Sequence, residues 1–302
     1  MGKTLAFQQA YDWDWVKLNP RNSYYAESWG NVYDYDQYVG PHPKQIFTLV
    51  NQPSEIERVT SDVDWEFYDS QNQVLSEVVA ALPETPVVQT VFSPFTVLTT
   101  IAGQPRQARS PLHGSNSTAT VAALIAERPR GLANALENIT LVLEKYLGQI
   151  AATGADAIFY AVTGTAHHEI LSQEEFERYS TPYDQALISA AKAHGLGVIF
   201  HTCGEVAYPE RFEKWQGIDA LSWDHFSPAN ALLDAPFAPV PLGGIDQRAV
   251  KNGDVETVAR QAAETLLAFA DKPLLLGPAC GINPIVGDPA LLALRGAVET
   301  QT

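Results

Sequence analysis

Cysteine is nearly absent from this 302-residue sequence, which holds two, and methionine occurs once. Two cysteines cannot build a disulfide framework in a chain this long, so the fold must rest on a buried core, and a reducing cytoplasm is the expected compartment. No stretch approaches the roughly 18 apolar residues of a membrane span. The start, Met1-Gly2-Lys3-Thr4, lacks the apolar core of a secretion signal. Basic residues are also scarce: 19 Lys and Arg stand against 35 Asp and Glu, a net charge of −16. So acidic a surface repels nucleic acid and anionic membrane and excludes both as partners, while a few local cations could still hold an anionic ligand. No glycine-rich phosphate loop follows the first strand, which argues against an open doubly wound nucleotide fold. No repeat, low-complexity tract or Pro/Gly linker divides the chain, so residues 1–302 read as one domain.

What the sequence does contain is a regular alternation of short β-rich runs and amphipathic helices. Strands are expected at Trp13 to Leu18, Val87 to Phe92, Ala157 to Val162, Gly197 to Cys203, Ala220 to Asp224, Val240 to Ile245 and Leu274 to Gly277. Several are nearly continuous apolar runs, as parallel strands buried on both faces should be. Between them, Leu136, Ile139, Leu143, Tyr146, Leu147 and Ile150 recur at helical spacing, with Gly154 as the stop. Ser54-Glu55-Ile56-Glu57 and Ser172-Gln173-Glu174-Glu175 read as capping boxes, and Asp288-Pro289 opens the last helix. Strand-then-helix order implies an α/β fold with a parallel sheet, and a (β/α)8 TIM barrel is the expected form. The count gives seven strands, one short of closure; the missing first strand is expected ahead of Met1, unless an atypical segment fills the gap.

The chemistry concentrates at strand ends. His201-Thr202-Cys203 closes the Gly197 strand, and residues two apart in a strand share a face, so an imidazole and a thiol aim into one space. Cys280 lies just past the Leu274 strand in Gly277-Pro278-Ala279-Cys280-Gly281, at the same C-terminal mouth where barrels place their chemistry. A free cysteine is as a rule a small core residue. Here both cysteines of the chain sit at strand ends, one of them two residues after a histidine. Three nitrogen and sulfur donors with an open position are the pattern of catalytic zinc rather than magnesium or calcium.

Asp224 and His225 end the next strand and are the catalytic candidates, either as a fourth ligand or as partners that orient His201. Glu205 is a further candidate ligand, unless it only caps the helix after it. Substrate-binding candidates are Lys17, Arg21, Tyr25, His167 and Asp246. Lys17 and Arg21 on a mouth loop could hold a carboxylate or phosphate, or else pair with nearby acids. His167 belongs to a His167-His168 pair whose side chains diverge, so one at most faces the site, and both could be idle loop residues. Tyr25 stands in an aromatic stretch (Trp13, Trp15, Tyr24, Tyr25, Trp29, Tyr33, Tyr35) suited to a pocket wall or a dimer face. Asp246 closes Gly243-Gly244-Ile245-Asp246, whose glycines let backbone approach a ligand or merely allow a tight exit turn.

These stretches bring a family into view. The runs Asp12 to Arg21 and Tyr25 to Gly30, Gly154-Ala155-Asp156-Ala157-Ile158, Leu171-Ser172 through Phe176 to Pro182-Tyr183, Gly243-Gly244-Ile245-Asp246 and Leu276-Gly277-Pro278-Ala279-Cys280 resemble the uroporphyrinogen decarboxylase superfamily over nearly the whole chain. Within it, His-x-Cys followed 77 residues later by Cys is similar to the zinc-dependent methylcobalamin:coenzyme M methyltransferases. The resemblance implies zinc on His201, Cys203 and Cys280, and a small-molecule thiol acceptor bound as its thiolate. It also implies a methyl donor that is a corrinoid (methylcobalamin) on a partner protein, and it admits a homodimer. The decarboxylase branch fits less well, because Lys17 to Arg21 carries no carboxylate and the Arg-rich first-strand segment is missing. A metal-free carboxy-lyase of the same fold, or a barrel kept only as a binding subunit, are the alternatives.

Overall fold

The computed structural model describes residues 1–21, 23–39, 42–104, 112–282 and 286–299. Helix α1 (Gly2–Tyr11) leads into strand β1 (Val16–Leu18) and the short helix α2 (Ser23–Ser28). An antiparallel pair, β2 (Val32–Val39) and β3 (His42–Phe47), follows, and then α3 (Glu66–Ala81), β4 (Val87–Phe92) and α4 (Pro94–Ile101). Next come α5 (Val121–Glu127), the long α6 (Pro129–Ala152), β5 (Ala157–Thr163), α7 (Gln173–Tyr179) and α8 (Thr181–Ala193). The remainder runs β6 (Gly197–Cys203), β7 (Ala220–Ser222), β8 (Val240–Ile245), α9 (Gln247–Asn252), α10 (Val255–Ala268), β9 (Leu275–Pro278) and α11 (Asp288–Glu299).

Seven strands form one parallel sheet in the order β1-β4-β5-β6-β7-β8-β9, which is the chain order of a βα barrel. All seven expected strands are present, with ends shifted by up to three residues at Trp13 (observed start Val16) and two at Asp224 (observed end Ser222). Among the described residues no ladder joins β9 to β1. At that seam α1 packs on the outside against α3 and α11. Tyr11 stacks on Trp13 (5.7 Å) and its hydroxyl donates to Asp288 Oδ1 at 2.7 Å, which ties the end of α1 to the start of α11. Among the described residues no helix is long and apolar enough to cross a membrane.

The sheet is held by continuous apolar strands and by one amphipathic helix in particular. Every residue of β4 is buried, as are Ile158 to Val162 of β5. On α6 the stripe Leu136, Ile139, Leu143, Tyr146, Leu147 and Ile150 is fully buried, and each such side chain contributes about 1.5–3 kcal/mol relative to exposure. Gly154 follows with φ +86°, a left-handed conformation that stops the chain from continuing as helix.

Two expectations need correction, and one element was not expected. The aromatic stretch does not form one continuous wall or face: Tyr24, Tyr25 and Trp29 are buried, Tyr24 and Tyr25 pack their rings with Tyr68 and Tyr146 between α3 and α6, and Tyr35 is exposed. The box at Ser54 is instead made by Gln52 and Glu55 around a short 3-10 turn, Pro53–Arg58; the box at Ser172 forms with Glu175 as expected. The β2–β3 ribbon has no counterpart in the expected elements.

Candidate metal centre

Strand register assembles the site. In a parallel sheet, hydrogen-bonded neighbours in register face the same side. Lys17 pairs with Val88, Thr90 with Phe159, Ala161 with His201, Thr163 with Cys203, and His201 with Ser222. The residues that share a face with His201 and Cys203 therefore come from β1, β4, β5 and β7, and this face is the barrel interior.

At the C-terminal mouth, one donor atom each from His201, Cys203 and Cys280 lies within 4.8 Å of the others. The two sulfurs are 3.6 Å apart, and Cys280 Sγ is 3.7 Å from His201 Nε2. Tetrahedral zinc at ordinary bond lengths sets sulfur–sulfur edges of about 3.8 Å and sulfur–nitrogen edges of about 3.6 Å. The trio has that spacing along both of these edges, and its soft donor set suits zinc. The residues present therefore fit the ion. The Cys280 thiol is held well below the usual thiol range, first by its contact with Cys203, against burial, with His201 adding to the effect.

The ring of His201 is fixed from two sides. Its Nδ1 lies 3.1 Å from Ser222 Oγ on β7, and the Phe159 ring packs against it with centroids 5.3 Å apart. Lys17 also lays its ammonium over the Phe159 ring, 3.9 Å from the ring centroid. Lys17 keeps some contact with solvent but has protein packed around it. That enclosure draws its pKa down to about 8, although Cys280 and then Cys203 pull the other way.

The other sequence candidates fall into separate groups. Asp224 is buried and accepts from Gln247 Nε2 (2.8 Å), Arg248 Nη2 (3.2 Å) and the Phe226 amide. Asp246 caps α9 through the Arg248 amide and also accepts from Arg248 Nε, each at 2.8 Å. Arg248, which the sequence reading missed, is thus clamped by two carboxylates at the rim. His225 Nε2 accepts from the Gly244 amide at 2.9 Å, and burial pushes its pKa down to about 4, so the ring is neutral. The Gly243-Gly244 pair makes room for that ring: a Cβ on Gly243 would stand 2.8 Å from His225 Nε2. The group facing His201 Nδ1 is Ser222, a residue with no mark in the sequence beyond its place two before Asp224.

Arg21 is paired with Glu27 (3.0 and 3.2 Å) and lines a separate surface hollow with Tyr24, Glu66 and Gln71. Tyr25 is fully buried, its hydroxyl donating to the Thr90 carbonyl at 3.4 Å and accepting from the Phe92 amide at 3.3 Å. His167 accepts the Glu169 amide on Nδ1, while its neighbour His168 hydrogen-bonds the Tyr208 hydroxyl. Glu205 is exposed, and its carbonyl accepts from Ser227. Among the described residues, His201, Cys203 and Cys280 are the His/Cys/Asp/Glu set gathered closely enough to share one ion.

With that geometry in place, comparison with known proteins decides the family. The model of the uroporphyrinogen decarboxylase (URO-D) family matches residues 4–300. The chain belongs to the uroporphyrinogen decarboxylase family. Its curated relatives in this family include the methylcobamide:CoM methyltransferase MtbA of Methanosarcina acetivorans, 28% identical over 138 residues, and that of Methanosarcina mazei, 26% identical over 138 residues. Each match covers 45% of this chain and 40% of the relative, so the chain spans less than half the length of the curated relatives it matches. Among solved structures, a methyltransferase from Methanosarcina mazei superposes with a TM-score of 0.75 over 99% of this chain and 83% of its own, at 17% identity. A B12-independent methionine synthase from Shewanella sp. W3-18-1, in complex with selenomethionine, gives 0.58 over 99% and 86%, at 15% identity. At these identities the structural likeness is one of fold, and it is the uroporphyrinogen decarboxylase family fold that the barrel described above adopts.

Proposed function

We propose that this chain is a zinc-dependent methyltransferase that moves a methyl group from a methyl-corrinoid, presented by a partner protein, to a small-molecule thiol. The observation that carries this reading is the convergence of His201, Cys203 and Cys280 at edge lengths suited to tetrahedral zinc. The names of the curated relatives, methylcobamide:CoM methyltransferases, point the same way. Zinc held by these three residues supplies a Lewis acid that keeps an acceptor thiol as the nucleophilic thiolate at neutral pH.

The chain's own residues prepare that chemistry. With Nδ1–H donating to Ser222, His201 keeps the Nε2 lone pair for the metal, and the Phe159 ring prevents the imidazole from turning away. Lys17 places a positive charge inside the barrel, where it favours an anionic acceptor over a neutral one. Asp224 and Asp246 hold Arg248 at the rim, and neutral His225 accepts from the Gly244 amide of strand β8. Two half-buried thiols outside any disulfide are stable in a reducing cytoplasm, where this reading places the protein.

The test is to incubate the zinc-loaded protein with methylcobalamin and a panel of small thiols. Loss of methylcobalamin absorbance matched by S-methyl product supports the reading. No transfer to any thiol, with zinc bound, sinks it.

A further inference from the structure

We propose that Cys203 and Cys280 are a redox-modification site that closes to a disulfide when a hydroperoxide reaches the barrel mouth. The two are the only cysteines of the chain, neither is in a disulfide and both are half-buried, so an oxidant can reach them and no other thiol competes. Their sulfurs are already 3.6 Å apart. A disulfide needs about 2.05 Å, so each sulfur has to move by less than about 1 Å. The backbone beside both is uncrowded. Each cysteine is followed by a glycine; a Cβ on Gly281 would meet nothing within 4 Å, and one on Gly204 nothing nearer than 3.9 Å.

The chemistry balances with the peroxide as oxidant. Cys280 sulfur attacks the peroxide: an S–O bond forms, the O–O bond breaks, and the departing oxygen takes a proton to leave as water or an alcohol. Cys203 sulfur then attacks the Cys280 sulfenic acid: the S–S bond forms, the S–O bond breaks and water leaves. The sulfur pair loses two electrons and the peroxide gains them. One bond thereby removes two of the three candidate metal donors, and a dithiol reductant restores them. This inference rests on the positions of two sulfurs and stands apart from the zinc reading.

The experiment treats the wild-type protein, both chelator-stripped and zinc-loaded, with hydrogen peroxide and follows free thiols and intact mass. The stripped protein is expected to lose both titratable thiols with a mass loss of about 2 Da, to yield a Cys203–Cys280 cross-linked peptide, and to recover fully with dithiothreitol. Cys203→Ser should stop at a Cys280 sulfenic acid that dimedone traps, whereas the wild type should give little adduct. Zinc-loaded protein should release its metal in step with thiol loss. Thiols that survive, or a wild type that gains oxygen without the mass loss, overturn the proposal. The stripped-protein arm decides the matter even if the chain binds no zinc.

Discussion

The hydroxyl of Ser222 stands 3.1 Å from Nδ1 of His201, across one rung of the parallel ladder between β6 and β7. This contact selects which ring nitrogen faces the cysteines. Ser222→Ala should leave the fold intact and weaken zinc binding by about 10–100-fold, the usual cost of losing a partner that orients a metal-bound imidazole. Competition against a chromogenic chelator measures it. Unchanged affinity would remove Ser222 from the site.

Asp224 makes a different prediction. Its carboxylate is occupied by Gln247, Arg248 and a backbone amide rather than by His201. Asp224→Ala should therefore retain stoichiometric zinc while losing about 1–3 kcal/mol of stability, as buried donors lose their acceptor. Urea unfolding alongside metal analysis separates the two effects, and loss of zinc in this variant would make Asp224 the fourth ligand.

Gly244 tests the packing behind the rim. It holds φ +106°, and a Cβ there would stand 2.7 Å from Thr265 Cγ2 and 2.9 Å from Leu276 Cδ1. Gly244→Ala should cost about 1–3 kcal/mol or more, from strain and overpacking together. A chemical denaturation midpoint equal to that of the wild type would contradict this.

A pH effect should arise outside the metal centre. Asp184 is fully buried, and burial raises its pKa to about 7 although Ser180 (2.6 Å) and Tyr160 (2.5 Å) donate to it. Between about pH 4 and 7 the native state then holds a proton that the unfolded chain has released. Stability contributed by this group is complete at the acid end of that window and falls as pH rises through it, by up to roughly 1.4 kcal/mol per pH unit. Asp184→Asn should flatten the slope in a series of thermal melts between pH 4 and 7. A slope that survives in the variant assigns it to other groups.

The seven barrel strands and the convergence of His201, Cys203 and Cys280 were legible in the sequence because both depend on local pattern. A strand buried on both faces is an apolar run, and His201-x-Cys203 shares a face whatever the surrounding fold. What depends on register was not legible. Ser222 becomes the His201 partner only because β7 pairs with β6 in one alignment, and Arg248 matters only because Asp224 and Asp246 end adjacent strands. Tyr24 and Tyr25 misled for a related reason. An aromatic run beside a mouth loop suits a pocket, but α2 turns it inward against Tyr68 and Tyr146, a choice made by tertiary packing. The β2–β3 ribbon mixes Asp with Tyr and is largely exposed, so it lacks the clean alternation that marks a half-buried strand.

The most direct test of the metal centre is elemental analysis of the purified, chelator-rinsed protein beside Cys203→Ser. About one zinc per chain in the wild type, with the metal lost in the variant, is the expected result for a tetrahedral site that depends on this thiol. A wild type without zinc, or a variant that keeps it in full, would contradict the assignment of His201, Cys203 and Cys280 as its ligands.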